Sequence, residues 1–290
     1  LPCKLLGYIP FKEIKVTPVD AQEVYVSGST IGIYMETEGV LVINTGEIQN
    51  QNGEMEEPAK NIIRQGDYIV AFNGQKVSTK KELISNIADL DGNAVTLEIY
   101  REGECIPVSV NPVKDIKGNY KLGIWVRDDT QGIGTLTYVD RNGNYGALGH
   151  GISDIDTARL LNIRNGALYK AQILAINKGS KGNPGELAGY IRYDDRNILG
   201  TIELNNKNGI YGQFIKTIED GITLKKMSVA HKQEVKIGPA SILCSIDGQV
   251  REYDAMIRKI DMNHEDTNKS FVIQITDKEL LEATGGIVQG

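Results

Sequence analysis

His150 is the residue whose surroundings best suit a catalytic role. It is one of three histidines in the chain, and it lies between Gly149 and Gly151 after an apolar stretch that the pattern predicts to be a strand. Flanking glycines remove steric bulk, so an imidazole here can lie at the edge of a cleft and reach a hydroxyl as a general base. A histidine between two glycines also suits an ordinary turn, and the segment alone leaves both roles open.

Three aspartates are candidate partners for this base. Asp154 and Asp156 follow His150 closely in the chain. We expect them to serve local turns, because sequence neighbours on a strand point to opposite faces. Asp277 lies between a predicted strand and the segment 278–281, a position in which an aspartate is well suited to cap the N-terminus of a helix.

The sequence contains no clear nucleophile to accompany this base and no metal-binding motif. Ser153, Ser241 and Ser245 lie outside tight glycine turns, and Cys244 lies in an apolar run that predicts a buried thiol. HExxH and CxxC motifs are absent from the sequence. We therefore expect no metal and no cofactor.

The composition favours a β-rich fold in two domains. A chain of 290 residues exceeds what one hydrophobic core usually organises. Its 32 glycines, 8 prolines and single tryptophan favour turn-rich β structure over helix bundles. The net charge of −6 gives no basic face of the kind that nucleic-acid binders show. Three scattered cysteines predict no disulfide framework.

Both ends of the chain lead us to expect that it is cut. It begins with Leu1 rather than Met, and residues 1–15 lack the pattern of a signal peptide. No run of about 20 apolar residues is present to span a membrane. We expect a targeting segment to precede residue 1, and we assign residues 1–22 to an extended lead without a fold of its own.

Residues 23–115 carry the pattern of a small β domain with one helix. A Gly-Asp-x-Ile-x-x-x-Asn-Gly segment spans residues 66–74, and its closing Asn73-Gly74 pair predicts a hairpin turn. An amphipathic helix follows, with Ser78 or Thr79 as its N-cap. This order resembles a PDZ domain, and we expect it to fold alone.

The PDZ resemblance implies a peptide-binding strand. The loop that begins at residue 27 would capture a terminal carboxylate with its backbone amides, and the peptide would pair along Ile31, Gly32 and Ile33. The Gly-Leu-Gly-Phe form of that loop is not kept, so internal segments are expected as ligands as well as chain termini.

Two further segments resemble the stage IV sporulation protein B serine peptidases. They are residues 146–157, which surround His150, and residues 284–290, Thr-Gly-Gly-Ile-Val-Gln-Gly. The resemblance implies a chymotrypsin-like β-barrel over residues 116–290, incomplete at its C-terminus, with His150 as the base and Asp277 as the carboxylate that fixes the imidazole tautomer. The family serine lies in a Gly-Met-Ser-Gly-Ser-Pro run that would start at Gly290. We therefore expect the nucleophile two positions beyond Gly290, and the 290 residues alone to be inactive.

The same resemblance implies a biological role. It is that of a serine endopeptidase of endospore formation, exported from the forespore into the space between the two spore membranes and tethered by an N-terminal membrane segment. Such peptidases cleave themselves and a regulatory membrane protein, which triggers processing of a late mother-cell sigma factor. Protein and peptide substrates, and no nucleic acid, are the expected partners. The competing hypothesis is a catalytically silent PDZ module for peptide binding or scaffolding.

Overall fold

The chain is mainly β, as the composition predicts. The computed structural model describes residues 2–5, 8–13, 20–215, 222–261, 270–286 and 288–289. The first twelve strands are β1 (Pro2–Leu5), β2 (Ile9–Glu13), β3 (Glu23–Val26), β4 (Thr30–Thr45), β5 (Ile48–Gln49), β6 (Met55–Glu56), β7 (Tyr68–Phe72), β8 (Gln75–Lys76), β9 (Val95–Arg101), β10 (Glu104–Val110), β11 (Val113–Lys114) and β12 (Tyr120–Lys121). Helix α1 (Lys80–Ala88) lies between β8 and β9.

The second half of the chain adds longer strands and a short closing helix. The strands are β13 (Ile124–Val139), β14 (Asn144–Ala147), β15 (Ile163–Asn177), β16 (Gly185–Ile191), β17 (Ile198–Ile202), β18 (Leu204–Asn206), β19 (Gly209–Gln213), β20 (Lys225–Ser228), β21 (Gly238–Ser245), β22 (Val250–Ile260), β23 (Phe271–Ile275) and β24 (Val288–Gln289). A 3-10 helix spans Asp195–Asn197, and helix α2 (Lys278–Thr284) precedes β24.

Two strands of 16 residues each, β4 and β13, form the backbone of the fold. They pair antiparallel along most of their length within a 15-stranded sheet. The first part of β4 lies between β13 and β15, and its second part lies between β13 and β7. This sheet curls into a half-barrel beyond the small N-terminal β domain.

The N-terminal part of the chain has its own core, and local sequence signals determine the turn and the helix start beside it. Asn73 and Gly74 have φ values of 47° and 77°, as a two-residue hairpin turn requires. Thr79 caps α1: its side chain accepts the backbone N–H of Glu82, and the Glu82 side chain accepts the N–H of Thr79. Leu83 of α1 is buried among residues of β4, β7, β9 and β10. The predicted hairpin turn and helix start are therefore confirmed.

A second core includes residues from both sides of the predicted domain boundary at residue 115. Ile31, Ile33 and Met35 of β4 are buried with residues of the second half of the chain, such as Leu136 and Leu168. The start of β4 thus contributes to the half-barrel, while its later residues contribute to the first core. Residues 31–35 thus bury their side chains in the second core, and the independent folding of residues 20–115 stays a prediction.

Four smaller sheets accompany the main sheet in the described ranges: β1–β2, β5–β6, β11–β12 and β21–β23. Strands β1 and β2 form an antiparallel hairpin, which corrects the prediction of an extended lead without structure. Strands β21, β22 and β23 form a separate three-stranded antiparallel sheet. Strand β24 returns to the main sheet and pairs parallel with β16.

Candidate functional site

His150 lies on an exposed loop directly after β14. Two residues in the left-handed region set the course of this loop, Leu148 with φ 72° and Gly149 with φ 76°. A positive φ is uncommon for leucine, and such strained positions cluster at functional sites. The His150 ring is exposed, and its Nδ1 lies 3.1 Å from the carbonyl oxygen of Gly151.

The two glycines beside His150 are needed for different reasons. At Gly149 a Cβ would meet nothing within 4 Å, so glycine is favoured there by the left-handed backbone and not by lack of space. Gly151 requires space, since a Cβ there would clash with the carbonyl oxygen of Asn206 and with Leu160. Together they turn the chain sharply while holding it against β18.

Buried Asn205 of β18 anchors the loop. Its Oδ1 accepts the N–H of Ile152 at 2.9 Å, and its Nδ2 donates to the carbonyls of Ile152 at 2.8 Å and Leu161 at 2.9 Å. The loop from residue 150 to residue 161 is thus closed at both ends by one amide side chain.

Asp154 and Asp156 serve this loop rather than the imidazole. The buried Asp154 accepts the N–H groups of Asp156 and Thr157 on Oδ1 and pairs with Arg127 on Oδ2. Asp156 pairs with the same guanidinium at 2.9 Å. Their assignment to local turns agrees with these contacts.

The structure gives Asp277 the helix-capping contact. Its side chain accepts the N–H of Leu280 at 3.0 Å, at the start of α2. Both His150 and Asp277 lie within the described ranges, and no hydrogen bond or ion pair joins them there. The triad role of Asp277 stays a prediction.

The chain after α2 is held in a defined course toward the half-barrel. Thr284 is buried, and its Oγ1 donates to the carbonyl of Leu280 and contacts the backbone of Gly286. The N–H of Gly179 donates to the carbonyl of Thr284 at 2.8 Å. Strand β24 then runs parallel to β16, with Val288 opposite Gly185 and Gln289 opposite Glu186.

The other nucleophile candidates are unsuited to attack. Burial, with the charge of Asp277 as a smaller cause, raises the pKa of the Cys244 thiol to about 11, so it is not a thiolate at neutral pH. Ser245 is buried, and its hydroxyl has no hydrogen-bond partner among the described residues. The Ser241 hydroxyl donates a hydrogen bond to Glu252. Ser153 is exposed in the loop after His150.

The predicted peptide-pairing residues do not offer a free strand edge. Ile31, Gly32 and Ile33 pair with residues 132–134 of β13 on one side and with residues 168–170 of β15 on the other. The preceding loop is also occupied, because the N–H of Ser29 donates to the Ser27 hydroxyl. The assignment of peptide binding to Ile31–Ile33 stays a prediction, and in this structure strand addition there would have to displace a core strand.

A groove of about 780 Å³ lies instead between α1 and the start of β13. Leu83, Ile84 and Ile87 line the helix side, and residues 124–126 line the strand side. Within the described parts of the chain, residues 124–127 pair only with β4, which leaves their other edge open. The combination of an open strand edge and an apolar helix face suits an extended peptide.

Other kinds of site have no support in the described residues. These ranges contain no cluster of three or more His, Cys, Asp or Glu side chains that would hold a metal ion. Searched over the same ranges, the helices include none with the length and apolarity to cross a membrane. His264 lies outside the described residues.

Two residues of the site escaped the sequence analysis. Arg127 and Asn205 organise the His150 loop. Arg127 contacts Asp154, which lies 27 positions away, and Asn205 contacts Ile152, which lies 53 positions away. A lone arginine in a strand and an asparagine before a turn carry no local signal of such a role.

Comparisons with known proteins define the class and then the family. A PDZ domain profile matches residues 29–111, and the β-rich remainder with its His150 loop matches a peptidase profile, so the class is that of PDZ-containing serine peptidases. The matching peptidase profile is described as SpoIVB peptidase S55 and covers residues 118–290. The chain belongs to this family.

Two individual proteins resemble parts of the chain. A protein of Clostridium perfringens that is named as a zinc metalloprotease is 31% identical over 87 residues, which are 29% of this chain and 26% of that protein. The chain thus spans about a quarter of the length of this curated relative. The crystal structure of the PDZ domain of an SdrC-like protein from Listeria monocytogenes is 21% identical, with a TM-score of 0.26, and covers 31% of this chain and 87% of that one.

Proposed function

We propose that this protein is a serine endopeptidase of endospore formation in which His150 is the general base. The observation that carries the proposal is the direction of β24. Strand β24 runs along β16 toward Gly189, where a Cβ would lie 2.6 Å from Cδ1 of Ile133. Gly134 follows Ile133 in β13, and the side chain of Leu148 occupies the position that a Cβ on Gly134 would take.

This direction supports a nucleophile that follows Gln289. In the register of β24, the position two residues after Gly290 would lie opposite Gly189. That is the position at which the family carries its serine. A strand that continued in this register would approach the segment 133–134 of β13, which contacts the residue two before His150. Such an approach is what a hydroxyl needs to reach the imidazole.

The substrates we propose are proteins, including the peptidase itself and a regulatory membrane protein whose cleavage triggers processing of a late mother-cell sigma factor. The site of action would be the space between the two spore membranes, with an N-terminal membrane tether. Peptide segments of these substrates would dock in the groove between α1 and β13, because its open edge can add a strand.

The direct test is expression of the gene beyond Gly290 through the Gly-Met-Ser-Gly-Ser-Pro run. We expect the longer chain to cleave casein and itself, and the 290-residue chain to cleave neither. In an endospore-forming host, His150→Ala in the full gene should block processing of the sigma factor. A longer chain that binds peptides but hydrolyses nothing would instead favour a scaffold module. The open groove alone would be sufficient for such a binding role.

A further inference from the structure

Arg127 joins the strand side of the groove between α1 and β13 to the loop of His150. It follows directly on residues 124–126, which line the groove. Its Nη1 lies 2.5 Å from Oδ2 of Asp154, and its Nη2 lies 2.9 Å from Oδ2 of Asp156. One guanidinium therefore holds two carboxylates of the loop in a fixed geometry that a lysine cannot reproduce.

The carboxylate of Asp154 is the centre of the loop. The Asp154 residue is only 3% exposed, so its charge needs a partner. Oδ1 accepts the backbone N–H groups of Asp156 and Thr157 at 3.0 Å and 2.9 Å, which leaves Oδ2 for Arg127. Without Arg127 a buried charge would lose its counterion, and the turn four residues after His150 would have to rearrange.

The segment from Gln65 to Tyr68 contacts the same loop, and the residue just after it, at two more points. The side-chain Nε2 of Gln65 donates to the carbonyl of Asp156 at 2.7 Å, and the backbone N–H of Asn162 donates to the Tyr68 hydroxyl at 3.1 Å. The His150 loop is thus held by the groove strand and the segment 65–68 on one side and by Asn205 on the other.

We propose that Arg127 is a positioning residue that sets the location of the His150 imidazole from the strand that lines the groove between α1 and β13. The inference rests on the proposed role of His150 as the base. It predicts that Arg127 affects the environment of His150 itself and not only the stability of the chain.

A second arginine provides a matched control. Arg101 forms a fork with the buried Asp67 inside the first core, through Nε and Nη2 at 2.7 Å each. Like Arg127, it neutralises a buried carboxylate, but its partner lies in the turn before β7, which reaches the His150 loop only indirectly, through Gln65 and Tyr68. Arg101→Gln therefore reports what loss of a buried pair does in general.

The experiment uses nuclear magnetic resonance on the 290-residue chain labelled at histidine, and it needs no catalytic activity. His150→Gln and His231→Gln assign the imidazole signals. We expect Arg127→Gln to shift or broaden the His150 signal while leaving that of His231 in place, and Arg101→Gln to shift the His150 signal clearly less. Arg127→Lys, which keeps the charge but not the fork, should give an intermediate shift.

Unchanged His150 signals in both Arg127 variants would overturn the proposal, as would equal shifts in the Arg101 and Arg127 variants. If Arg127→Gln fails to fold, Arg127→Lys decides by the same criterion. In the longer chain, Arg127→Gln should lower kcat by about 100-fold, as expected for a misplaced catalytic group, with little change in KM. A longer chain without any activity would contradict the proposed function, but the histidine signals would still test Arg127.

Discussion

Asn205 binds both backbone groups of Ile152, accepting its N–H at 2.9 Å and donating to its carbonyl at 2.8 Å. The same amide nitrogen also donates to the carbonyl of Leu161. A side chain from β18 thereby joins the two ends of the loop. The loop that carries His150 owes its shape to a residue distant in the sequence.

Replacing this amide should loosen the loop. We expect Asn205→Ala to lower the free energy of unfolding by about 2–4 kcal/mol, because buried backbone groups lose their partners. Urea denaturation of the 290-residue chain measures the change. Asn206→Ala is the neighbouring control, since its side chain contacts only the N–H of Asn208 among the described hydrogen bonds. Equal effects of both variants would contradict the anchoring role.

Asp277→Asn separates the capping role from the triad role. Asparagine caps a helix about as well as aspartate, so the stability of α2 should not change. If Asp277 fixes the imidazole tautomer, the longer chain should lose several orders of magnitude in kcat. Thermal unfolding and peptide hydrolysis measure the two effects separately. Full activity in this variant would leave Asp277 with its helix cap alone.

Cys244 should react slowly with alkylating reagents. Its pKa of about 11 makes the thiolate scarce at pH 8, so we expect iodoacetamide to react about 100-fold more slowly than with an unperturbed thiol. The rate should rise with pH up to about 11, because deprotonation of the folded thiol is shifted upward. The measurement uses a Cys3→Ser, Cys105→Ser background, with the urea-unfolded chain as the reference. Fast alkylation of the folded chain at pH 8 would contradict the assignment of Cys244 as an inert thiol.

The groove between α1 and β13 should be the peptide site. Ile84 is 57% exposed on α1 and lines the groove. We expect Ile84→Glu to abolish the recovery of peptides from a phage library panned on the 290-residue chain, because a charge would replace the apolar wall, and to leave the fold intact. Ile237→Glu, at a residue 65% exposed before β21, is the control. Undiminished recovery with Ile84→Glu would place peptide binding elsewhere.

The sequence predicted what local interactions determine. The Asn73-Gly74 turn and the Thr79–Glu82 cap each depend on residues within a few positions, and both are present. The sequence did not indicate which strands flank Ile33, although the predicted peptide pairing depends on them. Those partners, at residues 132 and 168, come from distant parts of the chain.

The candidate site shows the same division. The glycine pattern around His150 was visible in the sequence, and the structure gives each glycine a physical reason. The contacts of Arg127 with the loop could not be predicted, because an ion pair across 27 residues leaves no periodic or spacing signal. The capping role of Asp277 was foreseen from its position before a helix.

The central claim is that His150 activates a serine that follows Gln289, and labelling with a fluorophosphonate probe tests it most directly. The probe reacts with a serine only where a base has activated the hydroxyl. We predict labelling of the longer chain, its loss in His150→Ala, and its retention in His231→Ala. Labelling that persists undiminished in His150→Ala would contradict the account.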